Sequence, residues 1–185
     1  MAGEIAPRLK RLRSIPVSFL PSGVCVGIAQ AQTTAVFTTS STSYVDWTGM
    51  SVSLTTASAL SKFEISLTSG VSSDSSNNYQ YISLFFSTDG GSTWTQIAMG
   101  DAAGSATRCW VDGAWATIVN SDIVLKPIAA TYVHFPGLNA GVSLKYKLQI
   151  IRPVGGTAYF GRTKDTSTTG RSAIPSVLIV REYKI

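Results

Sequence analysis

Apolar and polar residues alternate in short segments along most of the chain from residue 35 onward. The clearest segment puts four apolar side chains on one face of a strand and three polar ones on the other: Leu144, Tyr146, Leu148 and Ile150 against Lys145, Lys147 and Gln149. A two-residue repeat is that of a half-buried β-strand, and the Gly, Ser, Asp and Asn clusters between segments are typical of turns. The other predicted strands are residues 35–39, 44–47, 50–55, 62–67, 79–87, 94–99, 107–110, 123–125, 157–160 and 176–183.

These strands are sufficient for two sheets. Helices should be few and short, because no long window keeps a helical apolar stripe free of Gly, Pro or β-branched runs. We therefore predict an all-β protein, with an antiparallel β-sandwich over residues 31–185 and an extended N-terminal arm over residues 1–30.

Two predicted strands, residues 81–86 and 177–180, are apolar on both faces. One face of a sandwich strand meets the core, and the other normally meets water. The second apolar face therefore needs a cover, which is either an oligomer interface or the chain's own loops.

Charge is sparse and unevenly distributed. Charged residues make up 14% of the chain, against about 25% in typical soluble domains. Four basic residues against Glu4 place +3 of the formal +5 in the first thirteen residues, namely Arg8, Lys10, Arg11 and Arg13. A nucleic-acid surface needs Lys and Arg clustered across the folded domain with aromatic residues between them. The nearly neutral body has no such pattern, so we expect no direct nucleic-acid binding.

The first thirty residues resemble a secretion signal, with a basic start, an apolar stretch and the small-residue triplet 29–31. Two prolines and a glycine interrupt the apolar stretch, so we expect the segment to be retained. We predict an arm that docks on a neighbouring subunit or an acidic partner, steered by the four basic residues and anchored by Ile15, Phe19 and Leu20. An arm folded back on its own domain is the alternative. No stretch reaches the roughly 20 apolar residues of a membrane span, so no membrane partner is expected.

Residues that carry catalysis or bind metals are scarce. Cys25 and Cys109 lack a neighbouring Cys or His at metal spacing, so we expect buried thiols, although a bridge between them stays open. His134, the single histidine, is flanked by aromatic residues, which is typical of a packed or hydrogen-bonded side chain. The mildly clustered carboxylates Asp89, Asp101 and Asp112 lie in turn-like sequence. We therefore predict no enzyme, and no catalytic, metal-binding or cofactor-binding residues.

The sharpest local motif is residues 87–94, STDGGSTW, which resembles an Asp-box, the S-x-D-x-G-x-T-W hairpin of sialidases and many unrelated β proteins. Asp89 would cap the turn, Gly90 and Gly91 would accept positive φ, and Trp94 would pack on the hairpin base. The motif is usually repeated in those families and occurs once here. It therefore predicts a structural hairpin and gives almost no support to a sialidase.

Two longer stretches resemble a recurrent family of tailed-bacteriophage virion proteins, seen as tail-fibre tips, head fibres and capsid decoration or cement subunits. The first is residues 39–54, TSSTSYVDWTGMSVSL. The second runs from KYKLQ at 145–149 through GTAY at 156–159 to IPSVLIVRE at 174–182. The basic arm and the C-terminal residues 183–185 depart from the shared pattern, which leaves the mode of attachment open.

The resemblance implies a jelly-roll-like sandwich that forms a homotrimer without catalytic residues. The leading expectation is a capsid decoration or cement protein of the virion, assembled in the host cytoplasm and bound to the major capsid protein or another virion protein. A tail-fibre or tail-tip subunit that contacts a host receptor or glycan is the alternative, with Trp110 and Trp115 as sugar platforms or as core residues. A secreted carbohydrate-binding module is a further alternative.

Overall fold

The computed structural model describes residues 16–73, 80–100, 107–112, 125–153, 156–163 and 173–185. Regular structure in these residues consists of strands and one 3-10 turn, η1 (Val17–Phe19). The strands are β1 (Cys25–Thr33), β2 (Phe37–Thr39), β3 (Val45–Thr55), β4 (Lys62–Ser73), β5 (Tyr81–Ser87), β6 (Thr95–Ile97), β7 (Val111–Asp112), β8 (Lys126–His134), β9 (Ser143–Ile151), β10 (Ala158–Phe160) and β11 (Ser176–Tyr183). They form two antiparallel sheets that pack against each other. No helix in this part of the chain has the length and apolar content of a membrane span.

The first sheet, sheet A, is four strand positions wide. β4 lies inside it, paired along one edge with β8 and along the other with β11 and β10. β11 pairs with residues 62–68 of β4 and β10 with residues 71–73, so these two strands follow one another along the same edge. β1 and β2 pair with β11 and β10 in the same way and complete the outer position.

The second sheet, sheet B, has β3, β9 and β5 in its first three positions. β6 and β7 share the fourth, because β6 pairs with residues 84–86 of β5 and β7 with residues 81–82. If β1 and β2, β6 and β7, and β10 and β11 are each counted as one strand, the chain has eight strands. Their order is 1-8-3-6 in sheet A and 2-7-4-5 in sheet B. This is the winding of a jelly roll. The predicted all-β, jelly-roll-like antiparallel sandwich is confirmed.

The core lies between the sheets and follows the alternation in the sequence. The inward side chains of β9 and β4 are almost fully buried: Leu144, Tyr146, Leu148, Ile150, Phe63, Ile65 and Leu67. At one end of the core, the Trp47 ring packs on Phe160 with ring centroids 4.5 Å apart. Burial of each such side chain contributes about 1.5–3 kcal/mol, so the sandwich is held together mainly by this shared apolar layer.

The predicted boundary at residue 30 is wrong, because the sandwich already includes β1. This strand begins at Cys25 and pairs with β11 as far as Thr33. Its inward side chains are the small Ala29 and Ala31, whereas Ile28 faces outward and is 64% exposed. The usual contrast between large inward and polar outward residues is missing, and the sequence therefore resembles an arm.

Other predicted bounds also change. β8 is absent from the predicted strands, because Pro127 and two consecutive alanines dilute its alternation. Residues 107–110 form no strand, and β7 begins only at Val111. Part of the predicted strand 123–125 lies outside the described residues, and Leu125 precedes β8.

The segments 44–47 and 50–55 belong to one strand, β3, which contains a wide bulge. Asp46 pairs with Gln149, and the next pair is Ser51 with Lys147. The chain thus advances five residues on β3 for two on β9, and Gly49 takes a φ of 83° within the bulge. A bulge re-aims side chains and opens the ladder locally, and this one borders the groove described below.

Candidate functional site

The hairpin between β5 and β6 brings together Asp89, Gly90, Gly91 and Trp94. The Asp89 carboxylate accepts hydrogen bonds from the backbone amides of Ser92 and Thr93 at 2.9–3.0 Å and from the Thr93 hydroxyl at 2.6 Å. These bonds, led by those from Thr93, hold the pKa of Asp89 well below its usual range. Both glycines have positive φ, at 77° and 96°. The turn is therefore closed by the side chain of Asp89.

Trp94 connects this hairpin to the outer face of sheet B. A Cβ added to Gly91 would meet the Trp94 ring at 3.2 Å, so the indole lies directly against the glycine. The ammonium of Lys147 stands 4.4 Å from the centre of the same ring, within the range of a cation–π interaction. The hairpin thus fixes an aromatic ring beside the lysines of β9.

A groove of about 380 Å³ lies here, and we call it the sheet B groove. It is lined by residues from the β3 bulge, from β9 and from the hairpin. These are Asp46, Trp47, Thr48, Gly49, Ser51, Ser53, Trp94, Lys145, Lys147 and Leu148. Its lining combines two tryptophans, of which Trp47 is almost fully buried, with hydroxyl, carboxylate and ammonium groups.

Asp46 organises the polar side of the groove. Its Oδ1 lies 2.7 Å from Lys147 Nζ and accepts a hydrogen bond of 2.7 Å from the Gln149 amide. Burial opposes ionisation of Asp46, but the bonds from Lys147 and Gln149 and the lysine charge outweigh it, so its pKa is lowered. The Asp46 side chain remains 61% exposed, whereas that of Lys147 is 13% exposed. The carboxylate is therefore charged and accessible.

Lys145 is bound differently from Lys147. Its Nζ donates to the carbonyl of Gly90 at 2.7 Å, which is a neutral acceptor. No carboxylate pairs with Lys145 among the described residues. Within the described part of the chain, the groove therefore carries one lysine paired with a carboxylate and one that is not.

Beyond the groove, part of the outer face of sheet B is covered by the chain itself. The Tyr44 ring meets Phe85 edge-on at 5.9 Å, and the Tyr44 hydroxyl accepts a bond from Ser83 and donates to the carbonyl of Arg108. Gln96 bonds to the same serine and the same carbonyl. For the doubly apolar strand 81–86, the chain's own residues thus supply part of the cover.

Three rows of side chains on the outer face of sheet A, here called the sheet A face, carry no net charge. Three rows of four side chains run across β1, β11, β4 and β8: Ile28, Arg181, Glu64, Val133; Gln30, Ile179, Ser66, Thr131; and Gln32, Val177, Thr68, Ala129. Arg181 and Glu64 are the only charged residues in these three rows, and they pair at 3.0 Å. Lys62 occupies the next outward position of β4, with its Nζ 5.4 Å from the centre of the Tyr183 ring. Ile28 and Val133 flank this pair and are 64% and 43% exposed. Exposed apolar residues around a neutralised ion pair are typical of a contact surface.

One end of this sheet is already covered. The side chains of Leu125 and Ile174 lie so close over Gly70 of β4 that a Cβ there would meet them at 2.7 and 2.8 Å. Beyond the opposite end, Phe135 follows β8 and is 63% exposed. The open part of the sheet therefore extends from the rows above toward Phe135.

The predicted arm anchors lie partly against the chain's own domain. Lys184 donates from Nζ to the carbonyls of Ser18 and Leu20, and the Gly23 amide donates to the Lys184 carbonyl at 2.7 Å. Phe19 ends η1, and Leu20 is half-buried. Residues 16–23 thus follow the folded-back alternative. The arm residues Arg8, Lys10, Arg11, Arg13 and Ile15 lie outside the described residues.

His134 is packed and hydrogen-bonded, as its aromatic neighbours in the sequence indicate. Its Nδ1 lies 3.0 Å from the Tyr146 hydroxyl, and the Phe86 ring meets it edge-on at 4.6 Å. Burial lowers the pKa of His134 to about 4. Burial, with smaller contributions from Glu182 and Tyr132, raises the pKa of Tyr146. The histidine is therefore neutral near pH 7 and is part of the core.

Glu182 is a buried structural carboxylate that the sequence analysis missed. It is fully buried and accepts bonds from the amides of Ala57 and Ser58 at 2.8–3.1 Å and from the Ser61 hydroxyl at 2.6 Å. Its position two residues after the inward Val180 was the available signal, because side chains alternate along a strand. Glu182 fixes the loop between β3 and β4.

The other candidates have simple outcomes. Cys25 is exposed, contrary to the expected burial, while Cys109 is partly buried and the two are not bridged. Trp110 packs against the core, and Trp115 and Asp101 lie outside the described residues. Asp112 ends β7. No group of three or more His, Cys, Asp or Glu side chains suited to a metal ion occurs in the described part of the chain.

The sequence matches no protein-family model and no curated protein.

Proposed function

We propose that this chain is a virion structural protein of a tailed bacteriophage, and that it serves there as a capsid decoration or cement protein in the form of a homotrimer. The resemblance of residues 39–54 and 145–182 to that family supports the proposal. The observation that carries it is the sheet A face, whose three rows contain two charged residues that neutralise each other, with Lys62 at the border of these rows. Such a surface enters an interface without leaving an unpaired charge buried.

The area of the sheet A face is smaller than a standard protein interface requires. Four strands about 4.8 Å apart and three rows about 6.7 Å apart cover about 400 Å². A standard interface takes about 800 Å² from each partner. The sheet A face therefore supplies about half, and we assign the remainder to the N-terminal arm, with its root at residues 16–23.

Native mass spectrometry of the full chain tests the self-association. We expect a trimer for the wild type and a monomer for the double variant Ile28→Lys/Val133→Lys, because two lysines would be buried opposite a neutral face. The matched control is Thr55→Lys/Thr95→Lys, which adds the same charge at exposed strand positions of sheet B and should remain trimeric. Equal thermal unfolding of the variants verifies that each is folded. A monomeric wild type, or a trimeric Ile28→Lys/Val133→Lys variant, contradicts the assignment.

Copy number tests the role in the particle. Quantitative mass spectrometry of purified phage particles should find this chain in hundreds of copies per particle if it decorates the head. A handful of copies would instead favour the tail-fibre or tail-tip alternative, for which the sheet B groove offers a receptor-contacting surface. Absence of this chain from the purified particles would refute a virion role.

A further inference from the structure

We infer that the sheet B groove binds an oligosaccharide that carries a carboxylate, such as one with uronic-acid units. The groove lies on the sheet opposite the sheet A face, and the inference goes beyond the structural role proposed above without depending on it.

The shape of the groove comes from the bulge in β3. Between the pairs Asp46–Gln149 and Ser51–Lys147, the bulge leaves Leu148 without a partner on β3, and residues 47–49 form one wall. The hairpin supplies a second wall through Trp94. A volume of about 380 Å³ falls within the range of sites for small ligands. Because the hairpin is closed by Asp89 and the bulge is part of the sheet, both walls are in place before a ligand arrives.

The groups in the groove match the chemistry of a sugar. Neighbouring sugar hydroxyls each donate and accept hydrogen bonds, and the groove offers an accessible acceptor in Asp46, donors in two ammonium groups, and the hydroxyls of Ser51 and Ser53. The C–H face of a pyranose ring is apolar and contacts aromatic rings favourably. Trp94 is half-buried, with the Lys147 ammonium over one face of its indole, and offers the remaining part of such a ring.

The charge balance favours an acidic sugar. Lys147 is neutralised by Asp46 at 2.7 Å. Lys145 has only the neutral Gly90 carbonyl as its described partner, so two of its three ammonium donors are available. One uncompensated positive charge matches one carboxylate per binding unit. A nucleic-acid strand would require several such cations along its path.

Isothermal titration calorimetry with two tetrasaccharides tests this inference on the full chain. One alternates glucuronate with N-acetylglucosamine, and the other is the neutral tetramer of N-acetylglucosamine. We expect the acidic probe to bind at least tenfold more tightly than the neutral one. Lys145→Met should reduce the affinity for the acidic probe about tenfold and bring it close to that of the neutral probe.

The matched control is Lys62→Met. Like Lys145, Lys62 is a half-buried strand lysine, but it lies on sheet A, so its loss should leave binding unchanged. Trp94→Ala should weaken binding of both probes, and Trp94→Phe should restore much of it, which separates the stacking contribution from damage to the hairpin.

Three outcomes overturn the inference. If neither tetrasaccharide binds to the folded wild type, the groove is not a saccharide site. If both bind equally, the preference for a carboxylate is wrong. If Lys62→Met weakens binding as much as Lys145→Met does, the ligand sits elsewhere. None of these outcomes bears on the trimer or on the copy number per particle, so failure here leaves the structural role to be judged by its own tests.

Discussion

Acidification from pH 7.5 to pH 5 should lower the free energy of unfolding by about 2 kcal/mol through His134 alone. The folded-state pKa of this residue is about 4, against an ordinary value of 6.5. As the pH falls through 6.5, the unfolded chain binds a proton that the folded chain does not bind until about pH 4. The contribution of His134 is therefore fully present above pH 6.5 and is lost progressively between 6.5 and 4.

The magnitude follows from the separation of these two pKa values. Each pKa unit is worth about 1.4 kcal/mol, so complete loss over the window would amount to roughly 3 kcal/mol. Between pH 7.5 and pH 5 the integrated loss is about 2 kcal/mol, before most carboxylates titrate. The change in unfolding free energy over this pH range can be assigned to His134 because the chain has a single histidine.

Urea unfolding at half-unit pH steps measures this loss directly. His134→Gln keeps a group able to hydrogen-bond to the Tyr146 hydroxyl but does not titrate, so its profile should stay nearly flat over the same range. Subtracting the variant's profile from that of the wild type also removes the contribution of the α-amino group. A wild-type profile as flat as the variant's, or equal slopes in both, would show that His134 is not held neutral by burial.

Two further changes test the packing of the sandwich by thermal and urea unfolding. Glu182→Gln should destabilise the fold by about 3 kcal/mol, because the amide group cannot accept all the bonds that the buried carboxylate takes from residues 57, 58 and 61; a loss below 1 kcal/mol would contradict its anchoring role. Gly70→Ala should cost about 1–3 kcal/mol, since its Cβ would meet Leu125 and Ile174 at 2.7–2.8 Å. Gly100→Ala, with open space around it, should be nearly neutral, and equal losses for the two glycines would refute this reasoning.

Most of the sandwich could be predicted from the sequence because its central strands pair a buried face with a solvated one. β9 shows this alternation over nearly its whole length, and its bounds lie close to the predicted ones. β11 also has the predicted bounds, although residues 177–180 are apolar on both faces. The Asp-box hairpin could be predicted equally well, because its hydrogen bonds join residues within seven positions of each other.

Strands without a contrast between a large apolar inward face and a polar outward face could not be predicted in this way. β1 places alanines inward and an isoleucine outward, and β8 carries Pro127 on its outward, exposed side. Their place in the sheet is decided by pairing with β11 and β4, which are distant in sequence. The local sequence pattern carries no information about these distant partners. Tertiary pairing therefore decides the strand, whatever the local preference.

The sheet B groove could not be predicted from the sequence, for a related reason. Asp46, Trp94 and Lys145 are separated by roughly fifty residues each, and only the register of β3 against β9 brings them to one place. The bulge that opens the groove joins two segments that the sequence presents as separate strands. Trp94 could be assigned to the hairpin, but not to the wall of a groove.

The two outer faces of the sandwich allow self-association and ligand binding to be tested independently. The sheet A face and the sheet B groove belong to different sheets with the apolar core between them, so neither surface should obstruct the other. Lys145→Met should therefore leave the oligomer intact, and Ile28→Lys/Val133→Lys should leave saccharide affinity per chain unchanged. If loss of the trimer also abolishes binding, the groove is completed by a neighbouring subunit, and the proposed independence of the two faces is wrong.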